Sequence, residues 1–226
     1  MIQQTRFANI FEIEKGRKKM LLTKNLVPGR KVYDETLIKD GKYEYREWDI
    51  WKSKLGSAIV KGASQIGLRE GNVVLYLGAS TGTTVSHVSD IVTNSGFVFA
   101  LDFAPRVVRE LVFLAEERKN IAPILGDAAR PDTFASRISQ ADLVYQDIAQ
   151  RDQTNIFLKN CEWFLKKDGF ALFCVKARSV DVSKKPRDIF QQTRKVLEQS
   201  DILTVVEYRE LDPYQKDHCM FICKKK

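Results

Sequence analysis

The sequence predicts an α/β fold, a doubly wound Rossmann-like sheet preceded by a small N-terminal antiparallel β domain. Three observations predict it. Residues 1–52 hold short β-prone stretches broken by turn signals, with no long helical period. From residue 53 to residue 226, apolar runs of strand length alternate with amphipathic stretches, the pattern of a sheet with helices on both faces. The last two apolar runs have no helix between them, which adds an antiparallel strand at one sheet edge.

In the first region Phe7, Ile10, Phe11, Ile13, Met20, Leu21, Leu22, Val27, Val32 and Tyr33 supply the β-prone stretches. The turn signals are Glu14-Lys15-Gly16-Arg17 and Val27-Pro28-Gly29-Arg30. The Arg17-Lys18-Lys19 run reads either as a patch facing RNA or a partner, or as a solvated hairpin. Beyond Ser53, the spacing of Leu55, Ile59 and Ile66 predicts an amphipathic helix. Strands are expected at Val73–Leu77, Phe97–Leu101, Ala122–Leu125, Leu143–Tyr145 and Phe170–Val175, and in closing at Leu203–Tyr208 and Cys219–Cys223. Helices are expected at Thr84–Val92, Pro105–Arg118, where proline suits the first turn, Gln153–Lys166 and Pro186–Glu198.

Composition bounds the function. With 44% hydrophobic residues in 226, the chain can bury one core of ordinary size. It has no apolar run of about 18 residues, so no transmembrane helix is expected. Gln3, Gln4 and Thr5 lie where a signal peptide's apolar run would begin, so a cytoplasmic location is expected. The four cysteines, Cys161, Cys174, Cys219 and Cys223, form no C-x-x-C pair and only two histidines are present, which argues against a zinc site. Free thiols are expected, with Cys174 and Cys219 serving as small core residues. The formal net charge of +8 suits a polyanionic partner such as nucleic acid, although a merely basic soluble protein has the same composition.

The segment Gly78-Ala79-Ser80-Thr81-Gly82-Thr83-Thr84 follows an expected strand and opens an expected helix. Its glycines let a ligand approach the backbone, and the helix start offers free N–H groups. The turn could serve NAD, a nucleotide or S-adenosylmethionine. No lysine follows Gly82, so it is not a phosphate loop, and Ser80 replaces the second glycine of G-x-G-x-x-G. Asp102 ends the next strand, at about the 20-residue spacing of a ribose-binding acid. Phe103 could pack on an adenine face or be an ordinary core aromatic. Asp127, in Gly126-Asp127-Ala128, ends the third strand and is placed to reach an adenine amino group. Gly78, Asp102 and Asp127 together mark the ligand crevice of an open α/β sheet.

Tyr76-Leu77-Gly78-Ala79-x-x-Gly82-Thr83-Thr84-Val85-Ser86-His87-Val88-Ser89-Asp90 closely resembles the cofactor segment of fibrillarin-like methyltransferases. So do Asp142 through Gln150, Val175-Lys176-Ala177-Arg178-Ser179, Lys216-Asp217-His218, and Tyr45 through Trp48 with Trp51-x-Ser53-Lys54-Leu55. The likeness covers nearly the whole chain. A glycine- and arginine-rich leader typical of eukaryotic members is absent, so the archaeal form is expected. The resemblance implies a class I methyltransferase sheet and S-adenosyl-L-methionine as cofactor. It implies cofactor contacts at Gly78, Ala79, Thr83, Thr84, Asp102, Phe103, Asp127, Ala128, Asp147, Ile148, Ala149 and Gln150. Asp102 stands where the family commonly has glutamate, so the carboxylate is kept but is one methylene shorter.

The catalytic set implied by the resemblance is Lys54, Asp147, Lys176 and His218. Each makes chemical sense for activating a ribose 2′-hydroxyl, a poor nucleophile at neutral pH. Lys176 ends a strongly apolar strand, where desolvation would favour the neutral amine able to take a proton. Asp147 could hold Lys176 and the hydroxyl in line, Lys54 could stabilise developing negative charge, and His218 could orient or share the proton. Taken singly, Lys54 reads as a surface lysine and His218 as a strand-end histidine. His87 and Asp90 are expected to be structural, with Asp90 on the helix surface or in packing. The implied partners are a box C/D guide RNA, target rRNA and tRNA, a Nop-type scaffold protein and a kink-turn-binding ribosomal-type protein. The competing readings are an NAD oxidoreductase, which Ser80 disfavours, a non-enzymatic assembly subunit, and a protein methyltransferase like eukaryotic relatives that act on a histone glutamine.

Overall fold

The computed structural model describes residues 1–16 and 18–226. Of the basic run singled out above, Arg17 and the side chain of Lys18 lie outside the described residues. Lys19 pairs with Glu12 at 3.1 Å on an exposed hairpin, as the solvated reading expects.

The N-terminal sheet contains β1 (Ile2–Gln4), β2 (Ile10–Lys15), β3 (Lys18–Lys24), β4 (Leu37–Asp40) and β5 (Tyr43–Glu47), in the order β1-β2-β3-β5-β4. Every pairing is antiparallel. Gly41, at φ 58°, supplies the left-handed residue that the short β4–β5 turn needs. Val32 and Tyr33, expected in a β-prone stretch, lie instead in the loop before β4. There the buried Glu35 carboxylate accepts both of their N–H groups, at 2.9 and 2.7 Å, and so replaces a strand partner.

After α1 (Lys54–Val60) the large sheet alternates β6 (Val73–Leu77), α2 (Thr83–Val92), β7 (Phe97–Asp102), α3 (Pro105–Glu117), β8 (Ile121–Leu125), β9 (Ala141–Gln146), α4 (Gln153–Phe164) and β10 (Leu165–Lys176). It closes with α5 (Ala177–Val180), α6 (Pro186–Gln199), β11 (Leu203–Glu210) and β12 (His218–Lys225). The strand order is β11-β12-β10-β9-β6-β7-β8. The chain steps outward from β6 to β8 and then returns to place β9 on the other side of β6, so a crevice opens beyond the carboxyl ends of β6 and β9.

Three expectations change. The antiparallel strand foreseen at the edge is β12, and it is inserted between β10 and β11. Its residues Cys219–Cys223 are all buried, which suits an interior strand, whereas β11 alternates and can stand at the edge. The helix from Ser53 ends before Ile66, because Gly62 and Gly67, at φ 87° and 67°, turn the chain, and Ile66 is buried from a loop. Finally, α4 stops at Phe164 and β10 starts at once.

Alternation along the strands splits the core. Val74, Tyr76, Leu172 and Cys174 face a cluster shared with α1, α2 and α3 that also takes in Ile10, Leu21 and Trp48 of the N-terminal region. Leu75, Leu77, Phe173 and Val175 face α4 and α6. All four cysteines are free and buried.

A buried ion network fastens the N-terminal sheet to α2. Arg46 lies between Glu35 and Asp90 at 2.8 and 2.9 Å with all three side chains sealed from solvent, and Arg118 also pairs with Asp90. Asp90 is therefore interior, not on the helix surface. His87, one turn earlier, stacks on Trp48 at 4.9 Å and meets the hydroxyls of Thr23 and Tyr33. Burial, reinforced by Arg46 and Arg118, holds its imidazole well below the ordinary histidine range. Removing one partner of such a network typically costs about 3–5 kcal/mol, because the other charge is left buried and uncompensated. The network fixes the helix that opens at the glycine turn.

Candidate active site

The glycine turn is shaped by close approach. Gly78 ends β6 at φ 82°, and a Cβ there would lie 2.2 Å from the Asp147 carbonyl oxygen. Gly82 caps α2 at φ 94°, with Leu114 occupying the space a Cβ would need. The N–H groups of Gly78 and Ala79 both donate to the Leu101 carbonyl, at 2.9 and 3.0 Å, which closes the turn over β7. Asp102 binds the turn from the other side. One carboxylate oxygen accepts the Ser80 N–H at 2.9 Å and the other accepts the Ala104 N–H at 3.1 Å.

Around this turn the strand ends present the remaining predicted groups. Phe103 is 69% exposed beyond β7, so it is not a core aromatic and its ring is free for a ligand. Asp127 is exposed beyond β8, with one carboxylate oxygen accepting the Ala129 N–H, while Ala128 is buried. Ile148 and Gln150 are half-buried and Ala149 is exposed in the loop after β9. Thr83 is half-buried at the start of α2, whereas Thr84 is buried and donates its hydroxyl to Ser53 at 3.0 Å.

At the other end of the crevice, Lys54 and Asp147 form an ion pair at 2.7 Å, each side chain about one-fifth exposed (22%). Burial alone would pull the Lys54 ammonium down, but the Asp147 carboxylate outweighs it and holds the group above the usual lysine range. Lys176 and His218 face each other across the β10–β12 ladder. His218 Nδ1 lies 2.6 Å from the Lys216 carbonyl, which places the proton on Nδ1 and leaves Nε2 as an acceptor. Partial burial pushes the His218 imidazole below its ordinary range. The Lys216 carbonyl opposes that shift, as does the charge of Asp147, while the charges of Lys54 and Lys176 add to it. His218 is thus neutral at pH 7 and in electrostatic reach of the other three groups.

The fibrillarin family model matches residues 1–226, the whole chain. The chain belongs to the fibrillarin family. It is 46% identical to the fibrillarin-like rRNA/tRNA 2′-O-methyltransferase of Sulfolobus acidocaldarius, covering 100% of this chain and 97% of the relative. Among solved structures, the Methanococcus jannaschii fibrillarin pre-rRNA processing protein superposes with a TM-score of 0.95 at 44% identity, covering 100% and 97% of the two chains. Aeropyrum pernix fibrillarin, solved with natively bound S-adenosyl-L-methionine, has a TM-score of 0.91 at 36% identity over 99% and 97% of the chains. A fibrillarin solved in complex with Nop5p has a TM-score of 0.88 at 36% identity over 99% and 100%.

In this fibrillarin-family chain, two details differ from the sequence-based expectation. Asp147 holds Lys54, not Lys176. The parallel ladder between β9 and β10 ends at Gln146 and Phe173, whereas on the other side Asp147 continues the β9–β6 ladder, donating its N–H to Leu77 at 2.9 Å. Lys176 is exposed, so its apolar strand does not desolvate it: the strand is sealed up to Val175 and the next side chain stands in solvent.

Ser53, marked in the sequence only as part of the resembling segment, also has a part in the site. Its hydroxyl accepts the Gly56 N–H at 3.2 Å as the α1 N-cap and receives Thr84 from α2, so one side chain aligns Lys54 with the glycine turn. A serine directly before an apolar helical run was the available signal.

These groups fit S-adenosyl-L-methionine. The two glycines serve the turn's own packing against Asp147 and Leu114 rather than the ligand's approach that the sequence led one to expect. The crevice offers the Asp102 carboxylate for a ribose diol, an exposed Phe103 ring for an adenine, and Asp127 for its amino group.

Proposed function

We propose that this chain transfers the methyl group of S-adenosyl-L-methionine to ribose 2′-hydroxyls of rRNA and tRNA, as the catalytic subunit of a box C/D guide ribonucleoprotein. The observation that carries this reading is the convergence of Lys54, Asp147, Lys176 and His218 at one end of a crevice whose other end fits the cofactor. Family membership supplies the acceptor, since the Sulfolobus acidocaldarius relative is named a 2′-O-methyltransferase of rRNA and tRNA.

The cofactor supplies an electrophilic sulfonium methyl. Gly78, Ala79, Thr83, Thr84, Asp102, Phe103, Asp127, Ala128 and the loop Asp147-Ile148-Ala149-Gln150 would hold it. The reaction forms a bond from the 2′-oxygen to the methyl carbon, breaks the carbon–sulfur bond and releases the hydroxyl proton. Lys54, kept charged by Asp147, stabilises negative charge developing on the oxygen. Asp147, anchored through its backbone to β6, fixes that lysine in line. Lys176 stands at the exposed mouth, where the RNA backbone must arrive; it gives up its own proton to solvent as docked RNA excludes water and then, as the neutral amine, takes the hydroxyl proton. His218 presents Nε2 as an acceptor that shares it.

A particle in which base pairing selects the nucleotide asks for no sequence-reading module in this chain. The partners in this reading are the guide RNA, a kink-turn-binding ribosomal-type protein and a Nop-type scaffold, the last supported by the fibrillarin solved with Nop5p. Free cysteines suit a reducing cytoplasm, and no described helix is long and apolar enough to cross a membrane. The test is reconstitution with guide RNA and both proteins, scored by nucleotide-resolved 2′-O-methylation. The modified nucleotide should move when the guide sequence is changed. Methylation that ignores the guide, or is equally strong by the isolated chain, would contradict the reading.

A further inference from the structure

Gln153 is the first residue of α4 and is completely buried, although it belongs to none of the groups assigned above. Its side-chain amide makes three hydrogen bonds. Oε1 accepts the Lys176 backbone N–H at 3.2 Å, and Nε2 donates to the Lys176 carbonyl at 3.3 Å and to the Gln150 carbonyl at 3.0 Å. Its own carbonyl accepts the side chain of Gln146 at 2.7 Å.

The position explains the pattern. Where β9 and β10 part after Gln146 and Phe173, Lys176 keeps β12 on one side and loses its strand partner on the other. A partly buried backbone N–H and C=O left without partners would each destabilise the strand end. A glutamine amide carries the same donor and acceptor as a peptide group. Gln153 therefore stands in for the missing strand and ties the backbone of Lys176 to the loop that begins at Asp147. The Asp147 end of that loop has its own anchor, the bond to Leu77. On the side of Lys176 facing β9, Gln153 is the anchor.

We infer that Gln153 is a positioning residue for methyl transfer: it sets where Lys176 stands relative to the cofactor loop and Asp147. The inference rests on the methyl-transfer reading above. Two variants test it in the reconstituted particle, Gln153→Met, which keeps the length and removes both amide functions, and Gln153→Glu, which keeps an acceptor. For Gln153→Met, cofactor affinity should stay within about threefold while transfer at saturating cofactor and RNA falls about 100-fold, the scale of a small misplacement of a reacting group. The Lys176 amide should exchange its hydrogen faster. For Gln153→Glu, the rate relative to wild type should rise as pH falls from about 8 to about 6, because a protonated carboxyl regains a donor.

Transfer by Gln153→Met within about threefold of wild type would overturn the inference. So would a rate loss matched by lost cofactor-binding stoichiometry, or a Gln153→Glu ratio flat with pH. If the wild-type particle itself methylates nothing, the methyl-transfer reading fails. The exchange rate at Lys176, read on the chain alone, still decides whether Gln153 anchors it.

Discussion

The cofactor end of the crevice takes Gly78, Asp102 and Asp127 from the ends of β6, β7 and β8, three strands met in sequence order. The proposed reactive end takes Lys54, Asp147, Lys176 and His218 from elements scattered over both halves of the chain. At the first end the decisive contacts are local and largely backbone: a turn closed on Leu101, and a carboxylate bridging Ser80 and Ala104. At the second they are side-chain contacts between distant segments, an ion pair joining α1 to the end of β9 and a histidine set opposite a lysine by strand register. A site of the first kind can be damaged in affinity alone. One of the second kind should lose rate while the cofactor still binds.

Lys54→Met should give a large separation of the two ends. Removing one preorganised electrostatic group of this kind lowers kcat by about 10²–10³, and single-turnover transfer should show it while calorimetry finds cofactor binding little changed. Equal losses in both would merge the two ends into one unit.

At the cofactor end, Asp102→Asn should do the reverse. It forfeits a charged acceptor worth about 1.5–3 kcal/mol, so cofactor affinity should fall by about ten- to a hundredfold with transfer at saturation preserved. Asp102→Glu, which installs the acid the family commonly has here, should stay within about threefold in affinity. A large loss from that change would mean that the bridge from Ser80 to Ala104, and not the charge, is what the site needs.

The smallest effect concerns stability rather than either end. The chain's two histidines, His87 and His218, are both held below the ordinary range, and burial is the first cause for each. In the unfolded chain an imidazole protonates near pH 6.5, at about its unperturbed value, whereas in the fold both resist to lower pH. Below about pH 6.5 the unfolded state therefore binds more protons, and stability falls as pH falls. The melting temperature should drop between about pH 7 and about pH 5.5. His87→Asn should flatten that drop more than His218→Asn does, because His87 is sealed in the core. An unchanged slope in His87→Asn would contradict the account of its burial.

The same contrast explains what could be read before the structure. Strands β6 to β10 and the glycine turn follow from apolar runs and turn residues, which are local signals. For the N-terminal region the same local signals predict a small antiparallel unit and not its five-strand order. Val32 and Tyr33 have β-prone side chains, and only the tertiary placement of Glu35 shows that their N–H groups bind a carboxylate instead of a strand. The insertion of β12 between β10 and β11 is a pairing choice between distant segments that its apolar run alone does not encode. At the site, the four proposed reactive residues come from the resemblance, whereas the contacts each one makes do not. Asp147 binds Lys54 through a contact between α1 and the end of β9, segments far apart in the chain, and Lys176 is exposed because burial stops one residue earlier, at Val175.

The most direct test of the account is Lys176→Ala against wild type in the same guide particle, with methylation mapped at the target nucleotide and cofactor affinity measured on the same preparations. The account predicts abolished transfer with affinity within about threefold of wild type. Near-wild-type turnover on the proper RNA would contradict the placement of Lys176 at the centre of the reaction.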